Sequence, residues 1–127
     1  MATVEVTLAL RQAALLFAVA QHLTANPHLH PVWVRGNDLQ LVHDASAVDL
    51  LVWADSLANQ CVTVSDIKGQ AFVYVTGSLG SGTATVWNVV PGLLGWLELP
   101  RSAYGEPIEL DVLRRFVSMR NGGGPGE

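Results

Sequence analysis

Apolar residues run from Thr7 to Ala25 with few polar interruptions and no internal glycine or proline, and Asn26-Pro27 closes the run. Helix formers dominate this stretch, so it predicts a first helix. Its middle is apolar nearly all round, which calls for cover on more than one side, from the rest of the domain or from another chain. A different pattern follows. Val32 to Arg35 and Asp38 to His43 flank Gly36-Asn37 and predict two strands around a two-residue turn. In that register Arg35 faces Asp38, Val34 faces Leu39 and Val32 faces Leu41, which puts the aliphatic residues on one face and opposite charges beside the turn.

Ser46-Ala47-Val48-Asp49 has the form of a capping box and predicts a second helix from Ser46 to about Asn59. Ala47, Leu50, Leu51, Ala54, Leu57 and Ala58 fall on one face of it, whereas Val48 and Val52 form a second apolar stripe on the opposite side beside Asp55. From Cys61 the period shortens to two. Three strands are expected, over Cys61 to Ser65, Phe72 to Thr76 and Thr83 to Val90, joined by turns at Asp66 to Gln70 and Gly80-Ser81-Gly82. Gly77 inside the middle strand marks a bulge or a close approach. Pro91 to Pro100 is too apolar for a solvated loop and should lie against the body. Pro107 is read as opening a last helix to about Met119, with acids early and Arg114, Arg115 and Arg120 late, the order that suits the helix dipole.

These elements give an α+β domain of order α-β-β-α-β-β-β-α, an antiparallel sheet of about five strands with helices packed on it. The order resembles that of profilin-like and roadblock-like domains, a likeness of element order alone that carries no function. At 127 residues the chain suits one domain, read as residues 1–120, with 121–127 a flexible tail.

Composition adds one constraint. Hydrophobic residues make up 50% of the chain and charged residues only 14%, against roughly 25% charged in ordinary domains. Apolar side chains must therefore be exposed or covered by a partner. The net charge of -4, with one lysine, gives no electrostatic footprint for nucleic acid. A single cysteine excludes an intrachain disulfide and fits a cytoplasmic compartment. Ala13 to Ala20 ends in the small-x-small pattern of a signal-peptidase site, but Glu5 offsets Arg11 ahead of it and the run is too short to span a bilayer, so it is read as a buried helix and no membrane partner is expected.

Candidate chemistry is sparse. His28-Leu29-His30, with His22 upstream and His43 downstream, is the one cluster with metal-like spacing, although no acid lies inside the His28 to His30 segment to complete a site. Gly77 to Thr83 has the glycines of a phosphate loop and lacks its lysine, so it reads as a hairpin. Cys61 is taken to pack as a small hydrophobe rather than to pair with a histidine as a nucleophile. No catalytic constellation or cofactor emerges.

The expected function is a non-catalytic interaction or regulatory module, a homodimer or the binder of a similar chain, with Val48, Val52, Trp53, Leu93, Leu94 and Trp96 as its interface. The alternative is a small-molecule-binding domain or enzyme that uses the histidines. From the charge balance, a fluorescence-anisotropy titration with random duplex DNA at physiological salt should show no binding; tight, salt-sensitive binding would reveal a basic patch formed by Arg35, Arg101, Arg114, Arg115 and Arg120.

Overall fold

The structure, a computed structural model, describes residues 2–35, 38–41, 46–80, 82–97 and 104–122. Helix α1 spans Ala2–Ala25, strands β1 and β2 span Val32–Arg35 and Asp38–Leu41, and α2 spans Ala47–Ser56. Strands β3 (Ala58–Ile67), β4 (Gln70–Leu79) and β5 (Gly82–Val89) follow, then α3 (Leu93–Leu97), β6 (Glu106–Ile108) and α4 (Leu110–Gly122). The expected element order is thus present, with one short helix and one short strand added before α4. The six strands form one mixed sheet of order β1-β2-β5-β4-β3-β6. All pairs are antiparallel except β2 with β5, because α2, β3 and β4 intervene and return the chain beside β2 in the same direction.

Local rules account for most boundaries. The first hairpin has the expected register, with Arg35 opposite Asp38, Val34 opposite Leu39 and Val32 opposite Leu41. Ser46 caps α2 as predicted: its hydroxyl accepts from the Asp49 backbone N–H while the Asp49 carboxylate accepts from the Ser46 N–H at 2.8 Å. Between β3 and β4, Lys68 and Gly69 both adopt positive φ, the geometry of a tight hairpin turn, and Asp66 accepts from the Gly69 N–H at 2.9 Å.

Two boundaries differ from the sequence reading. Helix α2 ends at Ser56, and β3 begins at Ala58 by way of an irregularity between Ala58 and Cys61 in which Asn59 has φ 54°. Pro107 does not open a helix. It sits in β6 at the sheet edge, where the missing N–H costs no ladder bond and the residue before proline is held extended. Helix α4 starts instead after Glu109, whose carbonyl accepts from Val112 N–H at 3.0 Å, and it runs through Gly122. Residues 123–127 of the expected tail lie outside the described residues.

One buried cluster joins the sheet to all four helices. It includes Leu39 and Leu41 of β2, Val62 and Val64 of β3, Val73 and Val75 of β4, and Ala84 and Val86 of β5. Against them lie Val19 of α1, Leu50, Trp53 and Ala54 of α2, Leu93 of α3, and Leu113, Phe116 and Val117 of α4. The segment after Pro91 packs on the body as expected: Trp96 meets Phe116 with ring centroids 5.4 Å apart, and Arg120 donates to the Pro91 carbonyl.

Gly77 is the close approach that its position in a strand suggested. A Cβ there would stand 2.8 Å from Leu57 Cβ and 3.1 Å from the Ala58 carbonyl, opposite the β3 irregularity. Both neighbours are fixed by the backbone, so Gly77→Ala should cost about 1–3 kcal/mol in urea denaturation. Gly82→Ala, with nothing within 4 Å of the new methyl, should stay within about 0.5 kcal/mol of wild type.

Candidate interaction surfaces

The polar residues of the expected histidine site sit where α1, α2 and the loop after α1 meet. Trp53 is fully buried, and its indole N–H donates to the His30 carbonyl at 2.8 Å. The His22 ring lies tilted on the Trp53 ring at 5.5 Å. Its Nε2 is 2.9 Å from Ser56 Oγ, which itself donates to the Trp53 carbonyl at 2.6 Å. The serine proton is thereby committed to Trp53, so His22 Nε2 carries the hydrogen and donates to Ser56. Burial holds the His22 pKa below its ordinary value, because the charged ring loses hydration without gaining a carboxylate.

The other histidines go elsewhere. His30 Nδ1 lies 3.6 Å from the Asp49 carboxylate, beside the α2 cap. His28 is exposed, and His43 lies outside the described residues. His22 and His30 are thus engaged with different residues, one a serine and the other a carboxylate. Among the described residues no group of three or more His, Cys, Asp or Glu is placed to hold a metal ion.

Cys61 corrects the sequence reading. It is exposed, because it pairs with Thr76 on the sheet face opposite the buried cluster. A shallow cleft of about 560 Å³ beside it is lined by Gln60, Val62, Pro107, Ile108, Glu109 and Leu110, with no histidine to activate the thiol.

The expected interface residues divide by burial, and the clefts that Val48 and Trp96 line share Pro91 and Arg120. Trp53 and Leu93 are wholly buried in the chain's own core, which takes them out of reach of a partner. Val52 and Leu94 pack against that core at its margin. Val48 and Trp96 are 39% and 37% exposed. The second stripe of α2 is turned largely toward α4: Asp55 forms a two-pronged ion pair with Arg114 of α4, which lowers the carboxyl pKa, and Val48 lines a cleft of about 350 Å³ with Val117 and Arg120.

Two apolar surfaces lie outside that expected set. On the sheet face opposite the core, Trp87 stands between Phe72 and Tyr74 at centroid distances of 5.6 and 6.1 Å, with Gln40 beside it and then Trp33, which is 48% exposed. The larger exposure belongs to α1. Val19 is buried, and Leu15, Ala18 and Leu23 pack at the core margin, whereas Leu8 is 57%, Leu10 64%, Leu16 45% and Phe17 64% exposed. The Ala13 to Ala20 helix was expected to be buried; the chain covers only one side of it, because the contact with the sheet is made along the Leu15-Val19-Leu23 side. The signal for the uncovered side was readable in the three-and-four spacing of Leu10, Ala13, Phe17 and Ala20. None of the described helices is long and apolar enough to cross a membrane.

Comparisons with family models, curated proteins and solved structures find no significant match to this chain.

The half-buried His22 gives a pH signature. The folded state holds this group's pKa below the unfolded value, so its contribution is fully present above the ordinary imidazole pKa of about 6.5 and is lost as pH falls below that value. His22→Gln keeps a donor for Ser56 and removes the titration. The fall in melting temperature between about pH 7.5 and 5.5 should be smaller in that variant than in wild type; equal falls would show that His22 is not the group responsible.

Proposed function

We propose that this chain is a non-catalytic interaction module that associates with a second copy of itself or with a similar chain. The observation that carries the reading is α1, a 24-residue helix that keeps Leu10 and Phe17 64% and Leu16 45% exposed while its other side docks on the sheet. Scattered surface leucines are ordinary, but Leu10, Leu16 and Phe17, within little more than two turns of one helix, form the kind of contiguous patch that association covers. The separate engagements of His22 and His30 favour this reading over the use of a histidine cluster on a small molecule.

Closed two-fold pairing is the commonest form of such self-contact. The purified 127-residue chain should show a mass that rises toward twice the monomer value in light scattering between about 1 and 200 μM, the range in which modest interfaces assemble. A constant monomer mass across that range overturns self-association.

A further inference from the structure

We infer that the self-association surface is the outer face of α1, and that two copies pair through it as antiparallel helices with Leu10 against Ala20 of the partner subunit and Ala13 against Phe17 of the partner subunit. This rests on the reading of the chain as a self-associating module and specifies the contact and its register. Leu10, Ala13, Phe17, Ala20 and Thr24 follow one another at spacings of three, four, three and four, the repeat of a coiled-coil seam. All five are exposed, on the side of the helix away from Val19.

Three features select a second copy as the occupant. The first is shape. The seam alternates large and small residues, Leu10 and Phe17 against Ala13 and Ala20. A parallel, in-register pair would set Phe17 against Phe17 of the partner subunit and leave gaps at the alanines. An antiparallel pair with its two-fold axis at the level of Leu15 sets each large residue against a small one, twice over, and brings the helix dipoles head to tail.

The second is charge. Arg11 is the only charged residue between Thr7 and Gln21, and it lies off the seam, lining a cleft with Leu79, Gly82 and Thr83 on the body side. The seam therefore brings no like charges together, and it offers no basic flank of the sort an interfacial membrane helix carries. Thr24, at its end, already donates its hydroxyl to the Ala20 carbonyl at 2.8 Å and needs no polar partner.

The third is area. At their observed exposures, Leu10, Phe17 and Leu16 with the intervening alanines would remove on the order of 400–500 Å² per copy from water, so the pair reaches about the 1,000 Å² that marks a specific, modest interface.

Cross-linking with light scattering tests the register. In a Cys61→Ser background, which removes the exposed native thiol, Leu10→Cys and Ala20→Cys chains are prepared separately, oxidised alone and oxidised as a mixture. The antiparallel register brings residue 10 next to residue 20 of the partner subunit and leaves like positions about 15 Å apart, beyond disulfide reach. A covalent dimer in the mixture and little in either chain alone is the expected result. Phe17→Glu should weaken the dimer about 100-fold while circular dichroism stays unchanged, since Phe17 is 64% exposed in the single chain.

Cross-linking of like positions, or a dimer whose mass is indifferent to Phe17→Glu, overturns the α1 pairing and leaves self-association standing through another surface. A wild-type monomer at every concentration overturns both. Binding of that monomer to phosphatidylcholine vesicles, abolished by Phe17→Glu, would assign the face to a lipid surface instead.

Discussion

Trp53 holds the arrangement together. Its indole lies at full burial between α2 and the sheet, its N–H closes onto the His30 carbonyl in the loop after α1, and the His22 ring of α1 rests on its face. One side chain thereby fixes α2, the end of α1 and the loop before β1 relative to one another. The polar atoms it brings inside are met within the same knot, since His22 donates to Ser56 and Ser56 donates to the Trp53 carbonyl. An unmet indole N–H at that depth would cost about 1–3 kcal/mol, so the loop conformation and the tryptophan orientation are mutually required. Because these contacts involve only the end of α1, the earlier turns are left to find cover elsewhere.

How much of this was legible depends on the range of the interaction concerned. The first hairpin register follows from Val32, Val34, Leu39 and Leu41 alone, because a two-residue loop and an aliphatic face leave one alignment. The Ser46-Asp49 capping box and the close approach at Gly77 were likewise readable, being set by residues a few positions apart or by the absence of a side chain. The short β6 was not, since Glu106-Pro107-Ile108 has no strand pattern and pairs only because Val62 to Val64 presents an open edge. Burial of Trp53, exposure of Cys61 and the packing of Val52 at the core margin were equally hidden, because each depends on which of two apolar faces of an element meets the sheet, a choice made by the assembled core.

The sheet shows the same imbalance between its faces. Each helix adds a buried residue to the single cluster on one side, so Val62, Val64, Val73, Val75 and Val86 are fully covered. On the other side Phe72, Tyr74 and Trp87 shield one another, with Thr76 and Thr85 sharing a hydroxyl hydrogen bond of 2.8 Å alongside. Cross-strand aromatic contact of this kind contributes roughly 0.2–1 kcal/mol per pair and lowers the apolar area in water without a second layer. The aromatic face is therefore partly self-satisfied. The α1 seam is not, because side chains on one isolated helix cannot fold over one another to the same degree.

That difference bears on the helix itself. A helix of some fifteen residues anchored at one end is marginal in water even when its sequence favours helix, since most helical stability in folded proteins comes from packing of an apolar face. Ala9, Ala13 and Ala20 supply good intrinsic propensity and little apolar area of their own, whereas Ala18 packs at the core margin. Contact with the body reaches forward through Val19 and Leu15 to the Arg11 cleft, and Leu8, on the same side as both, is already 57% exposed. Among the described side chains, the buried core and the residues packed against it include none of α1 before Leu15. In the proposed pairing, burial of Leu10 and Phe17 against another helix would favour order in α1, and helix formation and occupancy of the outer face would then be coupled equilibria, each strengthening the other. The scarcity of charge along α1 is consistent with the proposed pairing, because charges placed on its outer face to solubilise a solitary helix would oppose such a contact.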